Sequence, residues 1–126
     1  MTNDPINPNH YKTQSGIECI DVAEHLGYCL GNALKYAWRA GQKDNIVQDL
    51  SKCEWYIKRA YLTGEDADTD DERKWVTAIR KLEYYLDHET THAYQHRKEL
   101  LRAIAAKRIK DAWRITGESI ALLQKR

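Results

Sequence analysis

The chain has 126 residues, a length typical of one domain, and it balances 20 lysines and arginines against 19 aspartates and glutamates. This near neutrality gives no information about a polyanionic partner. No apolar run approaches the roughly 18 residues that a membrane span requires, and the polar, proline-containing start is unlike a signal peptide. We therefore expect a cytoplasmic protein with no membrane association. Three cysteines without CxxC spacing fit a reduced compartment and buried thiols, not a disulfide framework.

Helical periodicity runs through the first half of the chain. We predict three short helices, over about residues 15–26, 28–40 and 46–63, because apolar residues recur there every three or four positions. Asn45 with Gln48 three residues later resembles a capping box at the start of the third helix.

The second half of the sequence predicts a long helical hairpin. An acidic stretch after Gly64 suggests a boundary between residues 1–64 and 65–126, although one compact domain is the alternative. Apolar stripes then follow, and Gly117 is expected to end or bend the second one. The predicted fold class is all-α, a small helical bundle followed by this hairpin. The hairpin carries more apolar surface than so small a chain can cover, which indicates a homo-oligomer.

Charge is unevenly distributed along the chain. Residues 93–126 hold nine cations and three acids, for a net charge of +6, so the first 92 residues sum to −5. Such asymmetry favours assembly of oppositely charged halves. Contact of the basic hairpin with a host protein or with DNA is the alternative.

Residues 31–43 form the most informative segment of the sequence. Leu34, Ala37 and Trp38 recur at helical spacing and define a buried face. The remaining arc is dense in cations, an amide and an aromatic ring, which suit a planar, anionic ligand. A solvated basic helix surface is the alternative interpretation. The polar residues on this arc are Asn32, Lys35, Tyr36, Arg39 and Lys43.

Histidine spacing raises a zinc hypothesis. His88 and His92 match the HExxH pattern of zinc proteases, and His96 lies four residues further on. Thr90 and Thr91 weaken the helix that this motif requires, and the chain lacks the strands of a protease. The sequence therefore favours polar surface histidines over zinc.

Acidic spacing raises a magnesium hypothesis. Glu18 and Asp21 share a predicted helix face, and Asp49 on the third helix adds a carboxylate. Such carboxylates can hold Mg²⁺ beside a triphosphate. Lys52 stands where a second acid would help, so pairing of Asp49 with Lys52 is the alternative.

Several segments together resemble a known family. Neither GxxxxGK[ST] nor GxGxxG occurs in the chain. The order and gaps of the following segments resemble the bacteriophage DUF3310 (SaV-like) family over about residues 7–63. They are His10-Tyr11, Gly16-Ile-Glu-Cys-Ile-Asp21, Gly31-Asn-Ala-Leu-Lys-Tyr-Ala-Trp-Arg-Ala-Gly41 with Lys43, and Asp49-Leu-Ser-Lys52 followed by Trp55-Tyr56.

The resemblance implies an oligomeric, nucleotide-binding protein, because the family includes a phage nucleotide kinase without a P-loop that phosphorylates deoxynucleoside monophosphates. The motif is also distantly similar to MazG-like dNTP pyrophosphatases, which use two ExxE or ExxD pairs where this chain supplies one. Residues 65–126 lie outside the resemblance. The nucleotide site that it implies comprises His10, Tyr11, Asn32, Lys35, Tyr36, Arg39, Lys43, Asp49 and Lys52.

The leading hypothesis is phosphoryl transfer, which needs mainly positioning and charge neutralisation. Lys35, Arg39 and Lys43 would hold phosphates, and Asn32 or Tyr36 would contact base or sugar. Two other hypotheses are an Mg²⁺-dependent dNTP pyrophosphatase and a non-enzymatic protein that sequesters a nucleotide or inhibits a host defence or DNA-repair factor. The candidate catalytic residues are His10 as a proton carrier and Glu18 or Asp49 as Mg²⁺ ligands, with Asp21 beside Glu18; Tyr11 and Lys52 complete the binding set.

Overall fold

The computed structural model describes residues 15–42, 45–65, 72–89 and 93–125, and their regular secondary structure is helical. No strand occurs in these four ranges, so the predicted all-α class is confirmed. The helices are α1 (Cys19–Ala23), α2 (Tyr28–Arg39), α3 (Ile46–Thr63), α4 (Glu72–His88), α5 (Arg97–Ala105) and α6 (Ile109–Gln124).

The ends of α3 follow the local sequence signals. The Asn45 side chain accepts a hydrogen bond from the Gln48 N–H at 2.8 Å, so the predicted N-cap is confirmed. Gly64 ends the helix in the left-handed conformation, with φ of 71°, which glycine adopts without steric cost. These local interactions define the helix that later contributes half of the candidate site.

Helix α1 is shorter than the sequence predicts. The Ser15 hydroxyl accepts a hydrogen bond from the Ile17 N–H at 3.1 Å and supports a turn, so the helix does not start at residue 15. The helix begins after Glu18, whose N–H donates to the Asp21 carboxylate at 2.8 Å. The chain leaves α1 after Ala23 and reaches α2 within a few residues.

The second apolar stripe of the C-terminal half is divided between two helices. Lys107 lies between α5 and α6 in the left-handed region, with φ of 57°, and the chain changes direction there. As a result α5 packs against α2, while α6 packs against α3. Gly117 lies inside α6, so the prediction that it ends the helix was wrong.

The hydrophobic core draws on both halves of the chain. Leu34 from α2, Leu50 from α3, Leu82 from α4 and Ile104 from α5 are all at most 1 % exposed and belong to one cluster of buried residues. The cluster crosses the boundary that the acidic stretch suggested at residue 64. The first three helices are therefore packed against the last three.

A buried arginine joins the end of α2 to α4 and α5. Arg97 is 4 % exposed, and its Nη2 donates to the Trp38 carbonyl at 2.9 Å and to the Tyr85 hydroxyl at 2.8 Å. The rings of Trp38 and Tyr85 stack with centroids 4.0 Å apart, and the guanidinium lies beside both. Burial raises the pKa of Tyr85 to about 12, although Arg97 acts in the opposite direction.

Candidate functional site

Three cations converge on one aromatic ring at the surface between α2 and α3. The Tyr36 ring centroid lies 4.8 Å from Lys35 Nζ, 5.4 Å from Arg39 Cζ and 5.5 Å from Lys52 Nζ. We call Lys35, Tyr36, Arg39 and Lys52 the basic cluster. The structure thus brings together four residues of the predicted nucleotide site, although Lys52 comes from a different helix than the other three.

An aromatic row continues the basic cluster along the two helices. Tyr36 stacks on Tyr56 with centroids 5.9 Å apart and an interplanar angle of 14°, and Tyr28 meets Tyr56 edge-on at 6.3 Å. Trp55 contacts Tyr56 edge-on at 5.0 Å and is 58 % exposed. Burial, with the neighbouring Tyr28 and Tyr36, raises the pKa of Tyr56. The row offers ring faces and edges beside a concentration of positive charge.

Asp49 is held by Arg39. Its carboxylate accepts from Arg39 Nη2 at 3.0 Å and from Nε at 3.5 Å, while the residue is only 4 % exposed. Both carboxylate oxygens therefore contact the guanidinium, which fixes the direction in which Arg39 leaves α2. The partner that the sequence suggested for Asp49 was Lys52, so that pairing was wrong.

The net charge of the basic cluster stays positive after this pairing. Asp49 offsets one of the three cations, and among the described residues neither Lys35 nor Lys52 has a carboxylate within 4.0 Å. The ammonium groups of Lys35 and Lys52, which lie near the same Tyr36 ring, repel each other unless an anion lies between them. The arrangement suits an anionic ligand with several oxygens, such as a phosphate chain.

Asn32 lies one helical turn before the cluster on the same helix as Lys35. Its Nδ2 donates to the Tyr28 carbonyl at 2.8 Å, which fixes the orientation of the amide. Within the part of the chain that the structure describes, the amide oxygen and the second N–H have no hydrogen-bond partner. Asn32 therefore stands beside the aromatic row, as the sequence interpretation requires for contact with a base or sugar.

The predicted acidic pair lies at the start of α1. Asp21 accepts from the Glu18 N–H, and its own carbonyl accepts from Lys81 Nζ at 3.4 Å. Over the described ranges, no group of three or more histidine, cysteine, aspartate or glutamate side chains is arranged to hold a metal ion. The assignment of Mg²⁺ to Glu18 and Asp21 stays a prediction.

Several predicted residues lie outside the described part of the chain. These are His10, Tyr11 and Lys43, together with His92 of the HExxH pattern. His88 is described, and its Nδ1 lies 2.8 Å from the Tyr84 carbonyl one turn earlier. The zinc hypothesis and the role of His10 stay predictions.

Sequence reasoning missed three residues around the site. Two of them, Tyr28 and Tyr56, belong to the aromatic row. Tyr56 could have been predicted, because it follows Asp49 by seven positions and Lys52 by four and so lies on the same helix face. Glu65 carried no local signal. Its carboxylate accepts from the Cys29 N–H at 2.9 Å and the Leu30 N–H at 2.7 Å, which caps α2 from 35 residues away.

Four arginines between residues 97 and 114 have partners within the described part of the chain. Arg102 pairs with Glu83 at 2.7 Å, and Arg97 is buried. Along α6, Arg108 pairs with Asp111 at 3.0 Å and Arg114 with Glu118 at 3.2 Å. Contact of this half with DNA or a host protein stays a prediction.

Part of this helical chain is similar to a known protein family. Residues 6–58 match the model of the family described as a protein of unknown function, DUF3310, which confirms the resemblance seen in the sequence. This match includes α1, α2 and most of α3, and so every residue of the basic cluster.

Two curated phage proteins are similar to part of the chain. The Gene 1.7 protein of Enterobacteria phage T3 is 39% identical over 66 residues, which is 44% of this chain and 40% of that protein. The nucleotide kinase gp1.7 of Escherichia phage T7 is 39% identical over 59 residues, which is 39% of this chain and 30% of that protein. The chain thus spans less than half the length of either relative. No solved structure matches it.

Within the described ranges, no helix combines the length and the apolar character needed to cross a bilayer.

Proposed function

We propose that this chain is a phage nucleotide-binding protein whose basic cluster holds the phosphates of a nucleotide. The observation that carries the proposal is the convergence of Lys35, Arg39 and Lys52 within 5.5 Å of the Tyr36 ring centroid. Phosphate oxygens accept several hydrogen bonds at once, and Arg39, fixed by Asp49, presents its planar donors in one direction. His10, Tyr11 and Lys43 are proposed to complete the site.

We further propose phosphoryl transfer between nucleotides without a P-loop. The similarity to a T7 protein named nucleotide kinase supports this activity, and the matched segment includes the basic cluster. Such transfer depends on positioning and charge neutralisation, and three cations on two packed helices can position and neutralise the phosphates. Asp49 is paired with Arg39, so we assign it a positioning role and expect Mg²⁺ to arrive with the nucleotide phosphates.

Isothermal titration calorimetry tests the binding step. Wild-type chain is titrated with each deoxynucleoside monophosphate and with ATP, with and without Mg²⁺. Lys35→Ala combined with Arg39→Ala is expected to weaken binding by about a hundredfold, because two charge-assisted contacts are lost. Unchanged affinity in this variant would refute the proposal.

A matched control comes from the same helix as Lys52. Lys58 also lies over an aromatic ring, with its Nζ 5.9 Å from the Trp113 centroid, but it faces α6. Lys52→Ala is expected to weaken nucleotide binding, whereas Lys58→Ala leaves it within about twofold of wild type. Equal losses of affinity in the two variants would mean that Lys52 acts only through its general positive charge and not through a specific contact.

Product analysis separates the catalytic alternatives. A kinase requires a donor and an acceptor and yields a deoxynucleoside diphosphate from the monophosphate. A pyrophosphatase consumes one deoxynucleoside triphosphate and releases pyrophosphate. Tight binding with neither product would support the non-enzymatic alternative, in which the protein sequesters a nucleotide.

A further inference from the structure

A groove of about 410 Å³ lies between α1 and α2, beside the basic cluster. Ile20, Ala23 and Leu26 line one wall, while Tyr28, Asn32 and Lys35 line the other. Its volume falls within the range of about 300–1,000 Å³ that is typical of small-molecule sites. One wall is apolar and the other carries a ring, an amide and a cation.

The groove is continuous with the basic cluster and the aromatic row. Lys35 lines the groove and also lies 4.8 Å from the Tyr36 ring centroid. Tyr28 lines the groove and also meets Tyr56 edge-on. A ligand that occupies the groove can therefore reach the cations without crossing another element.

Two features of α2 form the groove and its polar wall. Gly31 lies on the groove, and a Cβ added there would lie 3.3 Å from the Ala23 carbonyl oxygen, so glycine allows the helices to approach closely. Asn32 is already oriented by its bond to the Tyr28 carbonyl. Its free acceptor and donor match the edge of a nucleobase, which presents both kinds of group.

We propose that this groove holds the nucleoside part of the nucleotide, with the base against Ile20 and Ala23 and its polar edge on Asn32. The proposal rests on the proposed function, because Lys35 then directs the 5′-phosphate toward the basic cluster. The polarity of the groove supports this orientation: the apolar wall suits a base face, and the cation lies at the end that joins the cluster. The groove would then determine which bases are accepted.

Filling the groove tests the proposal without touching the cluster. Ile20 is 60 % exposed, so Ile20→Trp adds volume at the groove with little effect on the core. The probes are a deoxynucleoside monophosphate and inorganic tripolyphosphate, which has no base. We expect Ile20→Trp to lose at least about tenfold in affinity for the monophosphate but to keep tripolyphosphate within about twofold, since the phosphate contacts remain. Equal monophosphate affinity for variant and wild type would overturn the inference.

A second variant, Asn32→Ala, and an NMR measurement on the wild type test the groove even if Ile20→Trp fails to fold. Asn32→Ala replaces a helical residue with a good helix former, and we expect it to reduce discrimination among the four monophosphates. In methyl NMR of the wild type, the Ile20 resonance should shift with the monophosphate and stay unchanged with tripolyphosphate. A methyl resonance insensitive to the base would contradict the groove assignment.

The outcomes separate the two proposals. If wild-type chain binds nucleotide and tripolyphosphate but neither groove variant changes monophosphate binding or selectivity, the nucleoside assignment alone is wrong. If wild-type chain binds neither probe, the proposed function and the groove assignment both fail.

Discussion

Arg39 donates two hydrogen bonds to the buried carboxylate of Asp49, with Nη2 3.0 Å from Oδ1 and Nε 3.5 Å from Oδ2. The pair links the last turn of α2 to the first turn of α3, at the point where the two helices form the basic cluster. Asp49, which the sequence offered as a metal ligand, therefore supports the position of the Arg39 guanidinium.

Replacement of Asp49 should separate its positioning role from a metal-ligand role. Asp49→Asn keeps the shape but removes the charge opposite Arg39, which is itself partly exposed, so we expect a loss of about 1–2 kcal/mol in the free energy of unfolding. Urea denaturation measures it. The Mg²⁺ concentration for half-maximal nucleotide binding should be unchanged, and a tenfold or larger rise would restore the metal-ligand hypothesis. Asp111→Asn, which removes exposed pairs with Arg108 and, more distantly, Arg114, is the control and should cost under about 0.5 kcal/mol.

Substitution of either Glu65 or Gly27 should weaken the cap that Glu65 provides to α2 and lower the free energy of unfolding. Glu65→Ala leaves the Cys29 and Leu30 N–H groups without their acceptor and should cost about 1–2 kcal/mol. Gly27→Ala should cost a similar amount, because its Cβ would lie 2.5 Å from the Glu65 carboxyl carbon and displace the cap.

A double-mutant cycle in urea provides the measurement for the cap. Since both changes remove the same interaction, the double variant should be destabilised by much less than the sum of the single variants. Additive effects would mean that Gly27 acts independently of Glu65. Glu118→Gln, at an exposed pair on α6, is a suitable control with an expected change under about 0.5 kcal/mol.

Arg97 should be intolerant of lysine. Its guanidinium reaches the Trp38 carbonyl and the Tyr85 hydroxyl at once, and an ammonium group cannot reproduce that planar geometry. Arg97→Lys is expected to lower the free energy of unfolding by about 2–4 kcal/mol, because a buried charge loses its hydrogen bonds.

Chemical denaturation with near-UV circular dichroism measures this effect, since Trp38 and Tyr85 stack beside the guanidinium. Arg102→Lys is the matched control, because Arg102 forms a two-bond pair with Glu83 at the surface, and it should cost under about 1 kcal/mol. A stability loss no larger at Arg97 than at Arg102 would contradict the structural role.

Alkaline pH should destabilise the fold through Cys53. Burial raises the pKa of this thiol from 9.0 to about 12, although Thr116 acts in the opposite direction. Between these two values the unfolded chain has lost the proton and the folded chain retains it, so stability is fully present below pH 9 and is lost as pH rises toward 12. The slope for one such group is about 1.4 kcal/mol per pH unit.

Urea denaturation of wild type and Cys53→Ala at several pH values between 9 and 12 measures the contribution of Cys53. Other buried groups titrate in this window, Tyr85 among them, so the wild-type curve alone is not diagnostic. The variant should show a shallower decline across the window. Parallel curves would show that Cys53 does not titrate as its burial requires.

The sequence predicted most of the helical framework because helix formation depends on neighbours close in the chain. Asn45 and Gln48 are three residues apart, and their hydrogen bond follows from local geometry. The sequence did not predict that the second apolar stripe is divided into α5 and α6 at Lys107. Apolar periodicity continues on both sides of this residue, and a single residue in the left-handed conformation produces no recognisable sequence pattern.

By itself the sequence determined that residues 28–39 form a helix with one apolar and one cationic face, because side-chain direction along a helix is set by its period. Only the tertiary structure decided what that cationic face meets. Packing of α3 against α2 places Lys52 and Tyr56 beside Tyr36 and pairs Asp49 with Arg39. The same packing brings Glu65 to the start of α2. Contacts between helices depend on crossing angles and loop paths, which no short-range pattern encodes.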